Sequence, residues 1–418
     1  MVPAHPSFDF LAPALRDDTT ARKRCAGSSL PVISLEIDEG FDMGISDGLN
    51  GQWIGTYAGS SQGKIIINVD ERESNYQGAA YLFNSDDRVP GTATFFTTPD
   101  KNREFSFRTA TILAFERVSG NVAPWQSIAD KYPGVIFPRH TDVKGSVGKD
   151  ALTLSWTTDL GTVNDCVLPR SKADQPSELV ASEHNWGAYK ERVSVKLPKR
   201  YLFRGQNGPW RLRTSFHRSG RADLHRFLDE DIPALHRQLS ARTKHIFNLT
   251  IGDENGAFFN LVQHHGNPTP LLDWTYSPYV AAFFAYRGIS NEQADKAGPK
   301  DKVRVLIFDQ AQWRKDFNQL LQLILPTLHV SIGEFIAIEN ERMIPQQAAS
   351  TITNADDIEA YIKSKETETK KYLWAIDLPK SERKQVVSEL SYMGITAGSM
   401  FPGLDGACEE LKERNFEI

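Results

Sequence analysis

The sequence predicts an α+β protein made of two unlike parts. The first is a small all-β domain, barrel or sandwich, over residues 30–168; the second is a mixed α+β domain over 186–418. Three observations carry this. From about Leu30 to Val163 the chain holds short runs rich in β-branched and aromatic residues, separated by Gly, Asn, Asp and Pro, at the spacing of antiparallel strands. After Trp186, strand-like runs alternate with apolar residues at helical spacing. Between them, residues 169–185 are polar and contain a proline, which reads as a linker. A length of 418 residues suits two or three domains.

Residues 1–29 read as an irregular segment with a basic "ARKR". The expected strands of the β-domain are "GQWIGTYAG", "GKIIINVDE", "YQGAAYLFN", "GTATFFTT", "EFSFRTATILAF" and "DALTLSWTTD", and "SWTTDLGTVNDCVLPR" is its last hairpin. In the second part, "RYLFRGQ" is a short strand entering a turn. "RADLHRFLDEDIPALHRQLSARTKHI" is helical, with Pro233 at a start or a break. "GAFFNLVQHHG" is a helix stopped at Gly266, and "PYVAAFFAYRG" is a helix with Pro278 near its first turn and Gly288 past its end. "VRVLIFD" and "KYLWAIDLP" are strands. "KSERKQVVSELSYMG" is a capped helix ending on Gly394, and "ITAGSMFPG" is a strand or turn.

Composition narrows the function classes. Lys+Arg number 48 against 53 Asp+Glu, a net charge of −5, which argues against a general nucleic-acid coat but allows a local basic patch. Cys25, Cys166 and Cys408 are far apart with no CxxC, so no disulfide or metal pattern is present and a reducing cytosol fits. No stretch approaches 18 uncharged apolar residues, and the first residues lack a basic start followed by an apolar core. The expectation is a cytoplasmic protein with no membrane partner. GxSxG, GxxxxGK[ST], HExxH and GxGxxG are all absent from the sequence.

Four stretches stand out. "FRGQNGPWRLRTSFHR" and the residues after it hold Arg204, Arg211, Arg213, Arg218 and Arg221. An arginine at a strand end presents a planar fork to a phosphate or carboxylate; the structural alternative is an arginine that ties a loop. Gly205 beside it permits close backbone approach or positive φ. In "QHHGNPTPLLDWTYSPYVAAFFAY", His264 and His265 adjoin at a helix end. Adjacent helical side chains diverge by about 100°, so the pair does not hold one metal. Asp273 is either a helix cap or a buried acid partnering Arg204. "NERMIPQQ" reads as the end of an exposed or active-site strand. Asp405 in "GITAGSMFPGLDGACEEL" reads as the cap of the last helix.

In this order, "FRGQ…WRLRTSFHR", "QHHGNPTPLLDWTYSPYVAAFFA", "ERMIPQQ" and "KKYLWAIDLPKSERKQVVSELSYMGITAGSMFPGLDGACEEL" resemble the FRG domain, a bacterial and phage family, over roughly residues 186–415. "QQAAS" departs from the family's Gln, Gly, aromatic pattern. A weaker likeness is to mono-ADP-ribosyltransferases of the arginine–serine–glutamate type. It implies an NAD site without metal: Arg204 on the NAD phosphates, Asp273 and Thr275 at the two serine positions of the Ser-Thr-Ser motif, and Glu341 as the catalytic glutamate, with Glu339, Gln346 or Gln347 as substitutes. Gly205, Gln206, His264, His265, Trp274 and Tyr276 would line that site. The resemblance implies a transferase or NAD glycohydrolase acting on an unidentified protein or nucleic-acid target, in phage defence or as a toxin, with the β-domain as recognition module. The alternatives are a non-catalytic binding module and a nuclease acting through His264 or His265. For Trp274 and Phe284, core packing is the plainer reading.

Overall fold

The computed structural model describes residues 48–109 and 111–416. The expected irregular segment 1–29 lies outside the described residues. β-branched and aromatic runs form ten strands: β1 (Gly51–Gly59), β2 (Gly63–Glu71), β3 (Tyr76–Asn84), β4 (Gly91–Thr97), β5 (Glu104–Thr109), β6 (Ile112–Phe115), β7 (Val122–Ala123), β8 (Thr141–Val147), β9 (Ala151–Thr158) and β10 (Val163–Pro169). They pair antiparallel in the order β5-β8-β9-β10-β1-β2-β3-β4-β6-β7. β1 turns a corner: Gly51–Tyr57 pair with β2, and Ala58–Gly59 with β10. The sheet therefore curls, and Tyr57, Ile67, Ala80, Phe105 and Trp156 from distant strands meet in one core. The hydrogen-bonded order leaves β5 and β7 as its outer strands, so this is a curled antiparallel sheet.

The second sheet has seven strands: β11 (Ala181–Glu183), β12 (Leu202–Gln206), β13 (Leu271–Thr275), β14 (Lys302–Phe308), β15 (Val330–Gly333), β16 (Ala348–Thr353) and β17 (Leu373–Pro379). Their order is β11-β17-β14-β12-β13-β16-β15. β11 runs parallel to β17, inside the stretch expected to be a linker. Side chains alternate along a strand, so Leu202 joins one core with Trp274 and Phe308, while Phe203 joins another with Ala281 and Tyr286.

Helices cover this sheet: α1 (Trp186–Ser194), α2 (Gly252–His264), α3 (Pro278–Tyr286), α4 (Arg383–Tyr392) and α5 (Leu404–Phe416). The α2 helix ends where Gly266 takes φ +86°, and Ser277 caps α3 by accepting from the Val280 N–H. Before Pro233 the helical chain widens into a π turn over Phe227–Asp231, since proline cannot donate the regular bond. "ITAGSMFPG" is neither strand nor extended turn: Thr396 caps a short helix, Ala397–Met400. Asp405 lies inside the first turn of α5 rather than at its cap.

The two sheets are joined by buried polar bonds. Asp70 on β2, fully buried, accepts from the main-chain N–H groups of Ala222 (2.8 Å) and Asp223 (2.9 Å) and from the guanidinium groups of Arg221 (2.7 Å) and Arg226 (3.1 Å). Gln52 on β1 donates to the Asn354 carbonyl at 2.7 Å and accepts from Asp356 N–H at 3.0 Å. Among the described residues no helix is long and apolar enough to cross a membrane.

Candidate functional site

The FRG stretch lies on β12, which pairs with β14 along its whole length but with β13 only at Phe203 opposite Thr275. Past that pair the two strands part. Arg204, half-buried, reaches the seam and donates from Nη1 to the Asp273 carbonyl at 2.7 Å. The expected Arg204–Asp273 partnership exists, but through the main chain and not the carboxylate. Gly205 has no positive φ. A Cβ there would lie 1.8 Å from the Ala281 carbonyl oxygen; glycine lets α3 lie directly on β12.

Three of the other four arginines of the run serve internal carboxylates. Arg211 pairs with Asp357 (2.7 Å) and Glu178 (2.8 Å), Arg213 with Asp356 (2.6 Å) and Arg221 with Asp70 (2.7 Å). Arg218 donates to the Arg213 carbonyl at 2.9 Å.

The end of α2 holds the most specific polar arrangement. Asn260 donates to Ser350 Oγ at 3.0 Å and accepts from Asn340 Nδ2 at 2.9 Å, and Asn340 Oδ1 lies 2.9 Å from His264 Nδ1. The three partners are all buried. Because Asn340 uses its amino group toward Asn260, its carbonyl faces the imidazole and Nδ1 must donate. Nε2 is then the atom left to hold or accept a proton. It sits 4.0 Å from Asp273 Oδ1. That oxygen and Gln206 Oε1 are buried without a hydrogen-bond partner among the described residues, an arrangement costing about 1–3 kcal/mol per group until a donor arrives. Arg342 caps this end of α2 by donating to the His264 carbonyl.

Other expected site residues lie elsewhere or are occupied. Trp274 is core, 3% exposed, donating to Thr351 Oγ1 at 3.1 Å and packed at 5.5 Å on Phe308. Thr275 is buried; its hydroxyl donates to the Gln346 carbonyl at 2.7 Å and accepts from Ser277 N–H at 3.0 Å. Tyr276 donates to Glu334 at 3.1 Å; burial, then the Glu334 charge, raises its pKa. His265 is exposed. "ERMIPQQ" is a turn leading into β16 rather than a strand end, and Glu341 is exposed within it, with no side-chain partner among the described residues. Glu339 accepts from the His245 N–H, and Gln346 donates to the Met400 carbonyl at 2.9 Å. Among the described residues no cluster of three His, Cys, Asp or Glu side chains could hold a metal ion.

The structure thus brings Arg204, Asp273, His264 and Asn340 together; Trp274 is buried in the core, and Glu341 and His265 are exposed. Sequence reasoning missed Asn260, Asn340 and Ser350. An asparagine inside "AFFNLV" was the available signal, since a buried amide needs partners.

Comparison with known families now gives one result. The FRG domain model matches residues 199–294. This segment is similar to the FRG domain. It spans β12, α2, β13 and α3, the elements that carry Arg204, His264 and Asp273. It ends before the 340–347 turn and before β16 and β17, so the match covers less of the chain than the motifs suggest. No curated protein and no solved structure matches the chain.

Proposed function

We propose that the FRG domain and the strands beside it form an NAD site of the ADP-ribosyltransferase kind, centred on Arg204, Asp273 and His264. One observation carries this reading. Arg204 on β12 reaches the Asp273 carbonyl on the neighbouring strand β13 at 2.7 Å, and His264 Nε2 lies 4.0 Å from the Asp273 carboxylate. The buried, unpartnered oxygens of Asp273 and Gln206 fit a ligand rich in donors, such as ribose hydroxyls and a carboxamide, and the Arg204 guanidinium fits its diphosphate.

In this reading the bond between ribose C1′ and the nicotinamide nitrogen breaks, and its electron pair leaves with nicotinamide. Positive charge then develops at the ribose. With Glu341 exposed in its turn, Asp273 is the carboxylate assigned to stabilise that charge. Water or a hydroxyl, amine or carboxylate of a macromolecular target bonds to C1′, and any proton it releases passes to His264 Nε2.

A second reading, a non-catalytic binding module, is favoured by the bonds of Thr275 and Arg204 to main-chain carbonyls, which hold strands together. One experiment separates them. Doubly labelled NAD is incubated with the full chain, with and without lysate, and binding, free nicotinamide and labelled macromolecules are measured. The enzyme reading expects all three, or the first two for a glycohydrolase. Arg204→Ala should abolish binding, Asp273→Asn should slow release about 10²-fold or more, and Glu341→Gln should change neither. Binding without release supports the module; no binding at all sinks both NAD readings.

A further inference from the structure

The curled first sheet encloses a cavity of about 250 Å³. Protein interiors rarely leave voids much larger than a water molecule, and an apolar cavity of about 150 Å³ already accommodates benzene. We propose that this cavity is a binding site for a neutral, apolar small molecule, of the size of a bicyclic aromatic or a medium-length alkyl chain. The inference does not depend on the NAD reading.

The walls carry the argument. Among the described residues, no Asp, Glu, Lys, Arg or His lines the cavity. Its surface is built by side chains such as Ile65, Ile67, Phe105, Leu152 and Leu154, with Trp156 tilted against Tyr57 at 5.5 Å. Several of the hydroxyls and amides in the wall are engaged within the protein. Thr94 donates to the Thr111 carbonyl at 3.1 Å and Thr141 to the Thr157 carbonyl at 3.0 Å. Thr158 and Thr162 bond each other at 2.6 Å, and Asn164 Oδ1 accepts from the Ser61 N–H at 2.9 Å. A ligand with buried charge would meet no counter-charge, and an isolated ion in such a place is strongly disfavoured. An apolar ligand meets walls that are mostly apolar.

The opening is apolar too. Ile136 and Leu160 line the cavity yet are 77% and 45% exposed. Apolar side chains facing water at a cavity rim give an apolar entrant its first contact. The ligand would also lie against the strands that join the two sheets. On β3, Ala80 lines the cavity, while Tyr81, pointing to the opposite face, bonds His225 at 2.7 Å.

The test uses the full chain, first stripped on a hydrophobic resin with the eluate analysed for bound molecules. The neutral fluorophore N-phenyl-1-naphthylamine is then titrated in. Saturable fluorescence enhancement at one equivalent, with quenching of tryptophan emission, is expected. Dodecanol should displace the probe at least tenfold more effectively than dodecanoate. Ala80→Phe, which fills the cavity, should weaken probe binding at least tenfold. Ile136→Ser, at an exposed position that leaves folding unchanged, should weaken it severalfold. An absent saturable signal together with nothing eluted overturns the proposal. So does probe binding that both variants leave intact. Equal displacement by dodecanoate overturns the requirement for a neutral ligand.

Discussion

Replacing Gly205 by alanine separates two reasons for a glycine after Arg204. If the glycine exists so that α3 can lie on β12, the added methyl must damage the fold. Its Cβ would fall 1.8 Å from the Ala281 carbonyl oxygen and 2.6 Å from the Ala285 nitrogen. Carbon and carbonyl oxygen normally approach to about 3.3 Å, so the helix would have to retreat by about 1.5 Å. Both obstacles are main chain, and no rotamer change relieves them. Val280, Ala281, Ala282, Phe283, Ala285 and Tyr286 are all buried, so the retreat opens a packed core. Overpacking costs about 1–3 kcal/mol, and a backbone clash belongs at the top of that range. The alanine restores about 0.4–1 kcal/mol by restricting the unfolded chain. The net expectation is a loss of about 2 kcal/mol. In urea, with a slope of about 1–3 kcal/mol per molar, the unfolding midpoint falls by about 1 M. An unchanged midpoint refutes the packing argument. An unchanged midpoint with lost NAD binding would show that the glycine makes room for a ligand instead.

Three further outcomes are expected. Asp70→Asn removes the fully buried carboxylate that the half-buried Arg221 and Arg226 share and should cost about 1.5–3 kcal/mol, read as a lower urea midpoint and faster proteolysis around residues 220–231; an unaltered midpoint would deny that this contact joins the sheets. Burial pulls His217 and His329 down to about 4, so the unfolded chain takes up their protons first as pH falls. Their stability is complete above about 6.5 and is lost toward about 4. Asp223, raised to about 6 chiefly by burial, acts in reverse, since the folded state keeps its proton between about 3.8 and 6. Two groups against one give a falling melting temperature from pH 7 to 5, and Asp223→Asn should leave that fall at least as steep as in the parent; a melting temperature that rises on acidification contradicts this. Trp274→Ala should cost about 3–5 kcal/mol as a core truncation, with NAD affinity of the folded protein unchanged; a selective loss of affinity would return Trp274 to the site.

Elements whose local chemistry decides them were legible in the sequence. β1, β2 and β3 coincide with their apolar runs, and Gly266, Gly288 and Gly394 take the positive φ expected just past helix ends. What depended on distant partners was not legible. β8 reads "TDVKGSV", with little apolar character of its own, and forms because β5 and β9 flank it. β11 is three polar-leaning residues held by β17. The carboxylates that pair with Arg211, Arg213 and Arg221, among them Asp357, Asp356 and Asp70, lie far away in sequence, so the partners of the basic run were not legible. Glu341 was the local carboxylate candidate in "ENERMIPQQ", and it lies exposed in a turn.

The chain from Ser350 through Asn260 and Asn340 to His264 bears most directly on what the site does. Each link is a neutral hydrogen bond, whose net contribution to stability is about 1 kcal/mol. Apolar residues of similar shape would stabilise the same junction of α2 and β16 as well, without exposing the fold to the penalty of a broken link. Stability alone therefore does not explain the chain. In the arrangement observed, Asn260 Nδ2 faces Ser350 and Asn340 Nδ2 faces Asn260, so Asn340 offers its carbonyl to His264 Nδ1. The result is an imidazole held in one tautomer, with Nε2 turned toward the carboxylate of Asp273. A binding module has use for the imidazole in either tautomer. A site that must take up a proton as a bond forms uses this one.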